Sequence, residues 1–391
     1  MKKQNWRTRL TAILLACALL LTGTAASRTV PLEEGVPVEV TAPSAMLLEA
    51  ETGAVIFEKN ADERRPVASI TKLMTLLLVM EAVEAGNLTL EDPVTVSSNA
   101  AGQIGSQALL DAGAVYTVGQ LLKCTIIASA NDAAVALAEH MAGSEEEFAR
   151  LMNERAAELG MTDTLYINAT GLPVEGQYTT ARDVALLSRE ICKHPMYFEH
   201  SVIWMDTLTH PSGRTTDLTN TNRLVRFYEN CDGLKTGSAD DAGYCLTCTA
   251  QKNDMRLIAI VLGCSAGQTR FNEARAMLDY GFGGYRRVQL LNPGDRLGQK
   301  VAVKLGMQDE VEAAAGGGVS MLLKHGQEKQ LSIEVELPEE VEAPLNEGDA
   351  MGIIRIKLGQ QLVAKIPAVA AEDVGMPGLL MGFLMVLRNW R

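Results

Sequence analysis

The sequence predicts an α+β domain followed by a small all-β domain. Strand and helix patterns are mixed from about Ala45 to Tyr285, and after Tyr285 helical patterns nearly vanish while short strand-like runs alternate with turns. The length, 391 residues, exceeds one ordinary core and suffices for two domains with tails.

The elements follow in chain order. Met46–Ala50 and Ala54–Glu58 flank Glu51-Thr52-Gly53 and form a hairpin pattern. Ile70 to Ala85 is apolar enough for a buried helix, Val118 to Met141 gives helix, turn, helix, and Glu145 to Leu159 places Phe148, Leu151, Met152 and Ala156 on one side of an amphipathic helix. Lys235-Thr236-Gly237 is expected to open a strand that continues to Ala250. Leu257 to Gly263 is a continuous apolar strand, and Arg270 to Tyr280 a helix. Asn292-Pro293-Gly294-Asp295 marks a turn, after which Val301–Leu305, Ser332–Leu337, Ile353–Leu358 and Gln361–Ile366 are expected as strands. The expected domains are therefore residues 35–285 and 288–370.

The two ends have a different character. Lys2, Lys3, Arg7 and Arg9 precede an apolar run from Leu10 to Leu21 and the small residues Thr22 to Ser27. That order is a signal peptide, residues 1–26, with cleavage expected after Ala26. Residues 374–391 hold the apolar run Leu379 to Leu387, closed by Arg388, Trp390 and Arg391. The run is short for a span of about 20 residues, so a C-terminal amphipathic helix in the membrane interface is expected. Together they place the protein outside the cytoplasmic membrane, peripherally attached.

Composition excludes several classes. Hydrophobic residues make up 47% and charged residues 21%, a folded-protein balance. The net charge of -13 repels phosphate backbones, which argues against nucleic acid as a partner. Six cysteines lie beyond the signal peptide. Cys245 and Cys248 form a CxxC in a strand, where residues three apart face opposite sides. No second Cys/His pair accompanies them, so structural thiols are expected and no metal is called for.

Three short motifs carry the chemistry. In Ser69-Ile70-Thr71-Lys72 the lysine lies one helical turn beyond the serine, on the same face. A serine hydroxyl needs a base, and a lysine serves once burial and neighbouring cations lower its pKa. Ser129-Ala130-Asn131 sits in a turn between two buried helices, which can aim both polar side chains into one cleft. Lys235-Thr236-Gly237 offers a positive charge, a hydroxyl for a carboxylate, and a glycine that admits a substrate backbone. Each motif alone is weak: on the order of one S-x-x-K arises by chance in a chain of this length. Their order and settings are what serine acyl-transfer enzymes of the penicillin-binding class use.

Residues 45–285 resemble the catalytic domain of the serine D-alanyl-D-alanine carboxypeptidases, the low-molecular-weight penicillin-binding proteins. The resemblance runs through Pro66 to Thr75, Gly176 to Asp183, Asp232 to Gly237, Ala242 to Cys245 and Arg270 to Glu273. It implies a β-lactamase/transpeptidase-like fold, an antiparallel sheet flanked by helices, and the β domain and tail are similar to that family's C-terminal parts. It implies that Ser69 attacks the penultimate D-alanine carbonyl of peptidoglycan stems ending in D-Ala-D-Ala, and that Lys72 takes its proton. Ser129 and Lys235 pass a proton to the leaving D-alanine, and Asn131 binds the substrate amide. The N–H groups of Ser69 and Ser238 form the oxyanion hole, while Thr236 and Arg270, beside Gly237, bind the terminal carboxylate. β-Lactam antibiotics are implied as covalent inhibitors, and no cofactor is needed. The chain departs from the family at Ala130, often glycine, and at Ser238-Ala239. A class A β-lactamase shares two motifs but needs a glutamate for deacylation, and Gly160 to Pro173 contains none.

Overall fold

The computed structural model describes residues 38–378, so the signal-peptide stretch and the apolar run from Leu379 lie outside the described residues. The chain divides into two compact units between Arg287 and Val288.

The first unit is built on a five-stranded sheet of β1 (Ser44–Glu49), β2 (Val55–Lys59), β3 (Cys231–Ala239), β4 (Gly243–Lys252) and β5 (Met255–Cys264), in the order β2-β1-β5-β4-β3. Every neighbouring pair is antiparallel. The expected hairpin is β1–β2, with Met46 opposite Glu58. The expected strand from Lys235 to Ala250 is two strands. Lys235-Thr236-Gly237 lies inside β3, which turns at Asp240-Asp241-Ala242 and returns as β4, setting Lys235 opposite Thr247. The run Leu257 to Leu262 is apolar throughout because β5 is buried on both faces. Ile258, Ile260 and Leu262 join the main helical core. Leu257 lies on the other face, against the long helix that follows β5, where a Cβ on Gly281 would meet its Cδ1 at 2.5 Å.

The longer helices are α1 (Lys72–Glu84), α2 (Val118–Ile127), α3 (Asn131–Ala142), α4 (Glu145–Glu158), α5 (Ala181–Ile191) and α6 (Gly267–Gly284). Helix α1 is hydrophobic all round because it runs through the core, with Leu73, Met74, Leu76, Leu77, Val79 and Met80 sealed from water. Helix α2 starts at a capping box, Thr117 with Gln120. Helix α4 starts at Ser144, whose hydroxyl accepts from Glu147 N–H, with Glu145, Glu146 and Glu147 favourably placed against the helix dipole. Of its expected apolar face, Phe148, Met152 and Ala156 are buried and Leu151 is half-buried.

The second unit contains a six-stranded sheet of β6 (Arg296–Lys304), β7 (Glu310–Ala315), β8 (Leu331–Glu336), β9 (Glu340–Glu342), β10 (Ala350–Leu358) and β11 (Gln361–Ala370). Its order is β8-β10-β11-β7-β6-β9, antiparallel except for the β6–β9 pair. Val301, Val303, Val311 and Ala313 belong to one apolar cluster and Ile354, Ile356, Ile366 and Ala368 to another. The fold is thus α+β followed by all-β.

All six cysteines of the described residues are free thiols. Cys245 and Cys248 are both sealed in β4, and burial raises every one of the six thiols, Cys124 to about 12 and Cys245 to about 11. They are packing residues rather than nucleophiles.

Candidate active site

Ser69 lies in a single 3-10 turn, Ala68–Thr71, that feeds directly into α1. Ala68 has a φ of 48°, so the chain enters this turn through the left-handed region. Ser69 is half-buried, and its Oγ is 2.9 Å from Lys72 Nζ. Lys72 is sealed from water and also donates to Thr170 O at 2.6 Å. Burial holds the Lys72 amine well below its ordinary pKa, the charge of Lys235 lowers it further, and Asp132 opposes both. That is the direction a lysine acting as a base requires.

The loop supplying Thr170 O was silent in the sequence, because it acts through a backbone carbonyl. Side chains fix it from several sides. Asn168 Oδ1 accepts from Gly171 N–H at 2.7 Å, Gln177 Oε1 from Ile167 N–H at 2.8 Å, and Glu145 Oε1 from Ala169 N–H at 3.0 Å. Gly171 has φ +78°, and a Cβ there would sit 2.0 Å from Ala68 O, so only glycine lets the loop close on the serine turn. Of the two glutamates that flank this stretch, Glu175 is exposed and Glu158 pairs with Arg155 at 2.9 Å.

The second motif leads into α3, whose N-cap position is Ala130. Ser129 has a φ of 59°, while Ala130 has an ordinary φ of -62° and is completely buried. The turn therefore places its left-handed residue at Ser129, and alanine at 130 fits without strain. Asn131 donates through Nδ2 to Ile104 O at 2.5 Å, and its backbone N–H to Ser106 O at 2.7 Å. Its neighbour Asp132, which the motif reading passed over, accepts from Ala108 N–H at 2.9 Å and Leu110 N–H at 3.0 Å. These bonds pin the segment 104–110 against the start of α3.

The third motif runs along β3 beside the serine turn. A Cβ on Gly237 would meet Val67 O at 2.1 Å, so this glycine is what brings the strand against Val67–Ala68. Lys235 is fully buried, and burial, then the nearby Arg270 charge, pull its amine down to about 7. Thr236 Oγ1 donates to Thr221 Oγ1 at 2.7 Å, a partner no motif announced. Ser238 is exposed, one residue beyond the glycine. Arg270 stands in the first turns of α6, reaches back to Gly237 O at 2.7 Å and Cys245 O at 3.3 Å, and lies near the rings of Phe271 and Tyr244. Its neighbour Arg223 adds a second positive charge, also unforeseen in the sequence.

Among the described residues, six buried polar side-chain atoms lack a hydrogen-bond partner, and three are Ser129 Oγ, Asn131 Oδ1 and Arg270 Nε. A buried polar atom without a partner costs roughly 1–3 kcal/mol. Two of these three atoms belong to the second motif and the third to Arg270. Elsewhere, the structure brings His194 close to Glu81 and Glu190 in a geometry that could hold a metal ion. The guanidinium of Arg155 already fills that role, 2.7 Å from Glu81 and 3.7 Å from Glu190.

An antiparallel sheet packed with helices, a serine on a buried lysine, and a second serine and lysine motif define a serine acyl-transfer fold. The D-alanyl-D-alanine carboxypeptidase family matches residues 29–266, and the family of penicillin-binding protein 5 C-terminal domains matches residues 285–376. The chain belongs to the D-alanyl-D-alanine carboxypeptidase family. It is 38% identical to D-alanyl-D-alanine carboxypeptidase DacF of Bacillus subtilis, over 89% of this chain and 90% of that one. It is similar to the solved penicillin binding protein 5 of Haemophilus influenzae, with a TM-score of 0.76 and 28% identity over 88% of this chain and 100% of that one. It is also similar to a penicillin-binding protein of Listeria monocytogenes in its ampicillin-bound form, with a TM-score of 0.54 and 34% identity over 63% of this chain and 99% of that one.

Proposed function

We propose that this D-alanyl-D-alanine carboxypeptidase removes the terminal D-alanine of peptidoglycan stems through an acyl-enzyme on Ser69. The observation that carries the reading is the 2.9 Å approach of Ser69 Oγ to a fully buried Lys72 amine whose pKa is lowered. In the structure Lys72 Nζ donates to Ser69 Oγ, and for attack the bond reverses, the Ser69 hydroxyl donating to the neutral amine. As the Oγ–carbonyl bond forms, the proton passes to Lys72 Nζ, which Thr170 O holds in place. The N–H groups of Ser69 and Ser238 receive the developing oxyanion. When the C–N bond breaks, a proton reaches the leaving D-alanine amine through Ser129, with Lys235 supplying charge and proton. Asn131 Oδ1, without a partner in the structure, accepts from a substrate amide. Thr236 and Arg270 bind the terminal carboxylate, a free C-terminus being what a carboxypeptidase must recognise. Water then releases the shortened peptide.

Penicillins acylate the same serine, and residues 35–285 form the catalytic domain. The product of export is a mature chain beginning near Ser27, held at the outer face of the membrane by residues 374–391. The test is D-alanine release from a muropeptide ending in D-Ala-D-Ala. The intact enzyme releases one D-alanine per stem, and Ser69→Ala releases none. Release by Ser69→Ala at the normal rate overturns the reading.

A further inference from the structure

The turn between β6 and β7 carries two apolar side chains into water. Leu305 is 66% exposed and Met307 60% exposed. Gly306 between them is packed underneath: a Cβ there would lie 2.8 Å from Val303 Cγ1 and 2.9 Å from Val374 Cγ1. Met307 N–H donates to Gly375 O at 2.9 Å, which sets it beside Met376, itself 53% exposed. Single exposed apolar residues are ordinary on a protein surface. Here three gather where the chain leaves the second unit. Leu305 also has a φ of 59°, a left-handed conformation that glycine or asparagine adopts at lower cost. Nothing in the packing of that turn calls for a leucine.

We propose that Leu305, Met307 and Met376 form a lipid-facing tip that dips into the interfacial layer of the membrane. The proposal rests on the reading of residues 374–391 as an interfacial helix and extends it to the folded β unit. Chain length ties the two together. From Met376 to Leu379 three residues span at most about 10 Å. A helix lying in the interface occupies a layer of about 5–10 Å. If the apolar run enters that layer at Leu379, the tip is drawn to its edge, and the occupant of the patch is lipid. The one basic residue of the turn's flank, Lys304, is ion-paired with Glu340. The tip's contribution is therefore apolar, and added salt does not release it.

The experiment uses the chain from Ser27 to Arg391 and vesicles of phosphatidylethanolamine and phosphatidylglycerol. Sedimentation with vesicles reports the tail. An environment-sensitive dye on Met307→Cys reports the tip, with unsubstituted protein as the control for labelling of native thiols. A second site, Gln360→Cys, lies in the β10–β11 turn at the far end of the sheet. The expected result is sedimentation, blue-shifted emission from position 307, and water-like emission from position 360. Leu305→Ser/Met307→Ser should keep D-alanine release in solution and partition about tenfold less onto vesicles. Sedimentation with water-like emission at 307, or unchanged partitioning of the double variant, overturns the tip and leaves the tail reading standing. Failure of the intact chain to sediment overturns both.

Discussion

Lys72 and Lys235 are two fully buried amines, and burial first and the charge of Lys235 second lower the pKa of Lys72. For a lysine whose folded pKa is depressed, the native state favours the neutral form. Between the unfolded value of about 10.4 and the folded value of about 7 for Lys235, each step down in pH protonates the unfolded chain first and lowers stability. Below about 7 the penalty is complete. Lys235→Met should therefore raise Tm by a few degrees at pH 7, with the gain shrinking towards pH 10, while acylation collapses. An unchanged or lower Tm at pH 7, measured calorimetrically, contradicts the account of this charge. Lys72 must be neutral to act, so acylation should fall as pH drops through its lowered pKa. Lys72→Arg, which never gives up its proton, should be inactive at every pH. Arg270→Ala should raise KM and lower kcat/KM for D-Ala-D-Ala peptides at least tenfold with little change in Tm, because the proposed reaction gives its guanidinium the terminal carboxylate to bind. Normal kcat/KM in that variant reduces Arg270 to a brace between β3 and α6.

At the scale of elements, two glycines let backbone close where side chains would collide. Gly171→Ala must open the loop by pushing Thr170 away from Lys72 and forces an alanine to φ +78°. It should cost about 2–4 kcal/mol of stability and at least a hundredfold in acylation rate. A variant that acylates penicillin normally shows that Thr170 O does not position the base. Helices α1 to α4, most of α6 and the β1–β2 hairpin were legible in the sequence from their apolar runs and faces, whereas α5, Ala181–Ile191, was not foreseen. The β3–β4 turn was not, since Asp240-Asp241-Ala242 interrupts an otherwise continuous strand pattern without a proline. The β7 and β9 strands were missed for related reasons: Glu310–Ala315 is alanine-rich and Glu340–Glu342 has only three residues. Within the site, the motif side chains were legible because their chemistry is in their residue types. Thr170, Asp132, Thr221 and Arg223 were not, because a carbonyl, a loop clamp, a hydroxyl partner and a second cation are made by tertiary proximity alone.

At the scale of the whole molecule, the change of texture near Tyr285 was readable because a β unit with no long helix follows a unit threaded by six of them. The apolar ends need a biochemical readout. Truncation after Asp373, in a chain lacking residues 1–26, should move the protein from the membrane to the soluble fraction with carboxypeptidase activity intact, and a truncated protein that still pellets refutes the anchor. The catalytic unit should be indifferent to that change, since every side chain in the proposed chemistry comes from residues 69–270. The central claim is that one serine, activated by one buried lysine, carries the acyl group. It is tested most directly by acylating the protein with a labelled penicillin and mapping the adduct by mass spectrometry. The account predicts a single adduct on the peptide containing Ser69, absent in Ser69→Ala and in Lys72→Arg. An adduct on Ser129 or any other residue of the native protein would contradict it.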